Sequence, residues 1–322
     1  MRGSSKVIVG TVLVLLVASI SWIPAQDRSV QVSFGWVLSN FSGPVPFGEV
    51  GVAIDDTSGE VLVGFKRRVH VFNEVGMEIY SLRTDRSHAT VLDLAVEPDG
   101  HVITLARDLE AAASDPAIGI TRYDFRGRRV GQIEISGAPP PFDKMLPNRV
   151  FSVEKGLLLA STTAMLAVRV GPDGTFHRGY DIAELLEIPE DKRDSHQISG
   201  LGLDADGNLL LTCAVLFTAF VISPEGELVD SFGESGSAPG TFGVAAGIAR
   251  DHLGRTYVAD KARKVVMIFD ESYQLLTEIG GDPALGGPRL GTPSGLDVDR
   301  NGFLYVTQIG QRGVWVYRVL PK

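Results

Sequence analysis

The feature that most constrains this chain is a hairpin that keeps returning: an apolar run, a short polar turn closing on glycine, then a second apolar run. The closing glycines are Gly59, Gly100, Gly156, Gly207, Gly254 and Gly302, at a mean spacing of about 49 residues. Each unit continues with a third run, as in Val69 to Phe72 or Val265 to Phe269, and a weaker fourth, such as Leu275 to Ile279. Helical 3.6-residue periodicity is almost absent beyond residue 28, whereas β-branched and aromatic runs alternate with Gly, Asp, Asn and Pro turns throughout. Four short strands at this period predict the blade of a β-propeller, a small sheet that hides both faces only against its neighbours. The length beyond the N-terminal segment accommodates six such blades, so the expectation is an all-β, six-bladed propeller of four-stranded antiparallel blades. The last unit, from Thr292 to Tyr317, has three strands, while residues 30–38 form an unassigned strand ahead of the first unit. Pairing of that N-terminal strand with the last blade would close the ring and remove an exposed edge.

The segment Gly247-Ile248-Ala249-Arg250-Asp251-His252-Leu253-Gly254-Arg255-Thr256-Tyr257-Val258-Ala259-Asp260, followed by Val265 to Phe269 and Gly280-Gly281, resembles an NHL repeat. Pro293-Ser294-Gly295-Leu296-Asp297-Val298-Asp299 through Gly302 matches the same pattern, and Gly200 to Gly207 matches it in part. The first three units carry Glu97 and Glu154 near the acidic position and lack the leading proline, so there the likeness lies in pattern. The resemblance implies the six-bladed NHL-type architecture.

The first residues differ from the rest. Arg2 and Lys6 precede an apolar stretch from Val7 to Ala25 with no charge until Asp27. This predicts an export signal cut after Ala25, or an uncleaved anchor of about the 20 residues a bilayer needs. Residues 1–25 are therefore assigned to a signal peptide or membrane anchor, and residues 26–322 to one propeller domain. Either way the domain is expected outside the cytoplasm, periplasmic or extracellular, with a membrane tether through residues 7–25 as the second form. The formal charge of −9 becomes two units more negative without Arg2 and Lys6, which excludes a nucleic-acid binder. Cys213 is the one cysteine and lies in an apolar run, which predicts a buried inert thiol and excludes an intrachain disulfide. No Cys-x-x-Cys-His segment is present for attaching a c-type haem.

Chemistry-bearing residues are few. The Asp-x-Asp-Gly and Asp-x-Asn-Gly turns read as hairpins, because a Ca²⁺ loop needs further oxygen ligands and a late bidentate glutamate. Gly233-Glu234-Ser235-Gly236 is no strand-to-helix elbow, so a serine hydrolase is not supported. His88 and His196 each stand just ahead of an innermost strand, as does Asn148 beside Arg149. Six-bladed relatives such as the peptide α-amidating lyases and gluconolactonase-like enzymes place metal ligands in that zone, which for this chain implies His88, Asn148 and His196. At the equivalent points other blades offer Glu49 or Val50, Ala245 and Thr292, so a third histidine ligand is missing. No catalytic residue, metal site or cofactor is assigned.

Loop length is more informative. Blade-to-blade connections and those between second and third strands share one face, and three long ones, residues 106–117, 137–148 and 182–196, gather there over blades two to four. In the last, Asp181 is predicted to cap a short helix from which Leu185 and Leu186 pack down. Lys66 and Arg67 in blade one, with Lys261 and Arg263 in blade five, add a basic cluster to the same face. The expected function is a non-catalytic propeller that binds a protein, peptide or glycan on its loop-rich face, with His88, Asn148, Arg149, His196, Lys66, Arg67, Lys261 and Arg263 as candidate binding residues. The alternatives are a metal-dependent lyase or lactonase-like hydrolase at the channel mouth, and a purely structural part of a cell-envelope assembly.

Overall fold

Each glycine that closes a first turn adopts a positive φ, from 73° at Gly59 to 139° at Gly156, a region that costs residues with a Cβ and that a tight hairpin requires. In the computed structural model, which describes residues 30–84, 89–110, 118–280 and 289–321, these hairpins open six four-stranded antiparallel sheets. The innermost strands are Gly51–Asp55, Ala89–Val96, Arg149–Val153, Gly200–Leu203, Ala245–Arg250 and Thr292–Val298, one from each of blades one to six. The sheets stand radially as a six-bladed propeller. The signal or anchor assigned to residues 1–25 and the candidate His88 lie outside the described residues, as does most of the loop at 106–117.

Closure occurs as the strand count requires. Val30–Val37 pairs antiparallel with Trp315–Pro321 of blade six, from Val30 opposite Pro321 to Val37 opposite Trp315. Phe34 meets Trp315 and Tyr317 edge-on, with ring centroids 5.9 and 5.6 Å apart.

Burial follows the radius. The second strands of blades three, four and five (Gly156–Ser161, Leu209–Cys213 and Thr256–Asp260) are buried along their whole length, while the outermost strand of blade four, Leu228–Phe232, is almost wholly exposed. The core accordingly lies between blades. The six apolar clusters of the described residues each join two neighbours, as where Leu158 and Met165 of blade three meet Leu209 and Ile222 of blade four. Each fully buried Leu or Ile contributes about 2 kcal/mol.

The acidic turns are structural. In blades four, five and six the carboxylates of Asp204, Asp251 and Asp299 each accept the backbone N–H groups two and four residues on, at 2.8–3.1 Å. Cys213 is fully buried and its S–H donates to the His196 carbonyl at 3.2 Å; burial pushes the thiol pKa up.

Candidate functional site

Six inner strands cannot close completely, and between them runs a channel of about 400 Å³. Its wall is asymmetric. On blades four to six the strands approach backbone to backbone: a Cβ on Gly200 would collide with the Ala246 carbonyl oxygen, and one on Gly247 would stand 2.7 Å from that of Ser294. Blades one to three instead present Val52, Leu94 and Phe151 together with the charged residues Glu49, Asp56, Asp93 and Arg149.

Asp93 sits in an otherwise apolar strand, next to a β-bulge where the pairing slips by one residue between Val91 and Asp93. A bulge re-aims the side chains beside it. The carboxylate of Asp93 consequently spans two neighbours, lying against Gly51 of blade one and accepting the Val150 N–H of blade three at 2.9 Å. Burial pushes its pKa up to about 6 against the opposing pull of the Arg149 guanidinium and the Val150 N–H. Asp297 on blade six is pushed up to about 7, first by burial and then by the charges of Asp56, Asp299 and Asp93, while the Val298 N–H opposes the rise. Other acids at the hairpin end of the channel have cations beside them: Asp204 has Arg250 at 3.3 Å and Asp56 has Arg300 at 3.1 Å.

These two carboxyls make stability depend on pH with a definite sign. Both have folded-state values above the ordinary 3.8, so between about pH 4 and pH 7 the folded chain binds more protons than the unfolded one. Their contribution is therefore fully present below that window and falls as pH rises through it. The double variant Asp93→Asn, Asp297→Asn is expected to flatten the dependence and to gain about 2 kcal/mol near pH 8 relative to the wild type. Urea denaturation at about pH 5 and pH 8 checks this; an unchanged slope would assign the titration to other groups.

The channel's other end opens on the loop-rich face. There Asp181 caps the helix Ile182–Leu185 by accepting the Glu184 N–H at 3.1 Å. Ile182 and Ala183 are the residues fully buried, while Leu185 and Leu186 are half-buried against the same cluster, because so short a helix turns its first residues inward. A 3₁₀ segment follows at Glu190–Ser195, pinned by Arg193, which bonds Asp181 at 2.9 Å, Glu190 at 2.9 Å and the Ala164 carbonyl at 2.9 Å. A second 3₁₀ turn, Phe142–Lys144, shapes the loop from blade two to blade three. Leu146, Val215, Val244 and Ile309 stand exposed on this face, from the connections into blades three and five and the outward turns of blades four and six.

Of the sequence candidates among the described residues, Arg149 alone lines the channel. The Asn148 amide donates to the Thr162 hydroxyl at 2.7 Å and accepts the Thr162 N–H at 3.0 Å. His196 turns its Nδ1 to the Lys192 carbonyl and the Ser195 hydroxyl, both at 3.0 Å. Of the metal-ligand set implied by the resemblance, Asn148 has its amide engaged with Thr162 and His196 turns Nδ1 to its own 3₁₀ segment, while His88 lies outside the described residues. Lys66 extends over the Phe65 ring at 5.2 Å, and Lys261 reaches Glu49 at 3.5 Å. Arg263 binds Glu278 at 2.8 Å and the Thr241 carbonyl at 3.0 Å. The Arg67 carbonyl accepts both the N–H and the hydroxyl of Thr84. Far from the loop face, Glu97, Asp99 and His101 lie within 4.8 Å of one another, but Glu97 is held in a bidentate pair by Arg122 at 2.7 and 2.8 Å.

Asp93 and Asp297 are the site residues that sequence reasoning passes over. An aspartate inside the apolar run Thr90-Val91-Leu92-Asp93-Leu94-Ala95-Val96 is a usable signal, whereas Asp297 is indistinguishable from its position in the repeat pattern.

Neither a protein-family profile nor a curated protein sequence matches the chain. Solved structures do. A Bacteroides thetaiotaomicron protein of unknown function superposes with a TM-score of 0.60 at 14% identity, covering 90% of this chain and 76% of that one. A chain of the mitotic checkpoint complex gives 0.56 at 12% identity over 97% and 99% of the two chains. Virginiamycin B lyase from Staphylococcus aureus gives 0.52 at 14% identity over 91% and 99%. At such identities the likeness is one of fold.

Proposed function

We propose that the chain is an exported, non-catalytic propeller of the NHL type that binds a protein, peptide or glycan across the loop-rich face at the channel mouth. The observation that carries this reading is the concentration there of ordered extra structure, the helix Ile182–Leu185 and the two 3₁₀ segments, beside the exposed Leu146, Val215 and Val244. Rigid scaffolds place recognition on such connections. The NHL assignment draws its support from the residues of blades five and six quoted above, and export from the Arg2–Ala25 segment.

The reading is tested on immobilised peptide and glycan arrays with the exported form. Retained ligands are expected to lose at least about tenfold in affinity in the variant Leu146→Asp, Val215→Asp, in line with burial of two apolar side chains at an interface. Ligands that bind the variant equally well would remove this face from the function. N-terminal sequencing of the mature protein tests the cut after Ala25.

A second reading, a lyase or lactone hydrolase with a metal inside the channel, draws on Asp93 and Asp297, two carboxylates in its partly apolar wall. Metal analysis of the purified protein separates the two, with Asp297→Asn as the control: stoichiometric metal lost in that variant favours the enzyme.

A further inference from the structure

The outer rim of blades one and two is unlike the rest of the ring. Of the fifteen large apolar side chains most exposed among the described residues, seven lie there: Phe41, Val75, Met77, Ile79, Tyr80, Phe125 and Val130. Phe41 is 98% exposed, Val75 65% and Phe125 63%, so most of their apolar surface stays in water in the monomer. They form one surface because the elements that carry them are bonded together. The hairpin Ser39–Asn40/Gly43–Pro44, with Phe41 at its tip, donates from Ser39 N–H to the Gly76 carbonyl at 2.8 Å, and Asn40 reaches Glu78 at 3.4 Å. The Tyr80 hydroxyl donates to the Phe125 carbonyl at 3.3 Å, joining the rim of blade one to the outer turn of blade two.

Guanidinium groups fringe this surface. Arg126 lies over the Phe125 ring at 5.1 Å, and exposed Arg83 and Arg129 lie on the two outermost strands. Arg128 remains 74% exposed although it pairs with Asp124 at 2.8 Å. Of the nearby acids, Asp124 also accepts the N–H groups of Arg126 and Arg128, Glu78 holds His70 at 2.8 Å and Asp55 accepts from Thr57 and Ser58, while Glu74 stands exposed beside Val75 and the charge of Glu60 acts on Tyr80. The same outer turns in blades three and four carry Asp173, Thr175, Glu225 and Glu227 instead, so the composition is not a requirement of the fold.

We infer that this rim is a lipid-contact surface, in which Phe41, Val75, Ile79 and Phe125 enter the interfacial layer of a bilayer while Arg126, Arg128 and Arg129 meet anionic headgroups. An apolar and aromatic patch fringed by arginine is the chemistry such an interface takes. The path of the chain points to the same occupant. The apolar segment Val7 to Ala25 is followed by residues 26–29, whose span is at most about 14 Å, before Val30 opens the strand that leads to the Phe41 hairpin. A tether at one end alone leaves the domain free to turn, and a second contact on the folded domain converts tethering into a fixed orientation. The inference is independent of the loop-face reading.

The test uses residues 30–322, which contain all six sheets and their inter-blade cores, in flotation with phosphatidylcholine vesicles holding about 30 mol% phosphatidylserine. Binding is expected, weaker on phosphatidylcholine alone, and lowered about tenfold both by Phe41→Ser with Phe125→Ser and by Arg126→Glu with Arg129→Glu. Leu228→Ser with Val229→Ser, on the rim of blade four, is expected to leave it unchanged, and circular dichroism checks that each variant is folded. A Phe41→Trp variant is expected to be quenched by brominated lipid beyond the quenching of the parent protein. Absence of vesicle binding, equal loss in the blade-four variant, or no added quenching of Phe41→Trp overturns the inference. So does capture of a protein through Phe125 without any lipid binding.

Discussion

A chain beginning at residue 39 is expected to lose its cooperative unfolding transition. The deletion removes Val30–Val37, the outermost strand of blade six, together with the fully buried Leu38, and leaves Trp315–Pro321 as an open edge with unpaired N–H and C=O groups. It also strips the cover from Trp315, Tyr317 and Val319, which pack with Val32 and Phe34 in the cluster between blades five and six. Val32, Phe34 and Trp36 each withdraw about 2 kcal/mol of burial, and together they approach the whole stability of an ordinary domain. Trp36 additionally packs on Phe303 at 5.1 Å, so blade six loses contact on both its flanks. Urea unfolding followed by tryptophan fluorescence and by far-ultraviolet circular dichroism checks this. Coincident transitions close to those of the intact domain would show that the ring does not need its closing strand. Supplying residues 30–38 as a separate peptide is expected to restore part of the transition, because the missing element is local and pairs along one edge.

Asp251→Ala is expected to cost about 3–5 kcal/mol. Asp251 is buried in the first turn of blade five, where one oxygen accepts the N–H groups of Leu253 and Arg255 at 3.0 and 2.9 Å. The other accepts Arg255 Nε at 2.6 Å and the Tyr257 hydroxyl at 2.9 Å. Arg255 is itself buried and extends to the Val319 carbonyl of blade six at 3.3 Å. Alanine would leave a buried guanidinium without its counter-charge, a phenol without its acceptor and two backbone N–H groups without partners. Asp251→Asn keeps one acceptor oxygen, replaces the other with a donor and carries no charge, and is expected to lose about half as much, whereas Tyr257→Phe removes one donor and costs about 1 kcal/mol. Chemical denaturation of the three variants orders them. A loss near 1 kcal/mol in Asp251→Ala would mean that Arg255 finds water when the carboxylate is gone.

Much of the architecture is legible in particular residues. Gly59, Gly100, Gly207, Gly254 and Gly302 mark first turns because a hairpin there needs a positive φ, a demand met within a few residues of chain. Asp181 announces its helix because a cap acts on the N–H groups that follow it directly. Cys213 reads as buried because it closes a strand opened by the apolar run Leu209-Leu210-Leu211 and that strand lies second from the axis. The closing role of residues 30–38 follows from counting strands, and the observed strand ends one residue earlier, at Val37.

The site is less legible, because its members meet only when the ring shuts. Asp93 and Asp297 are about two hundred residues apart and share a channel because blades two and six flank blade one. Gly200 and Gly247 resemble ordinary strand glycines until the neighbouring inner strand is brought against them. Phe41, Tyr80 and Phe125 are unremarkable apolar residues of three separate turns and strands, and they become one surface through two hydrogen bonds that cross between elements. The sequence by itself determined the strands, the turns, the number of blades and the need for closure, since these arise from interactions between residues near one another and from the requirement that each sheet be covered. Which side chains face the channel, which acids lose their water and which apolar groups remain uncovered was decided by tertiary structure alone, since each depends on the distance between chain segments that no local pattern encodes.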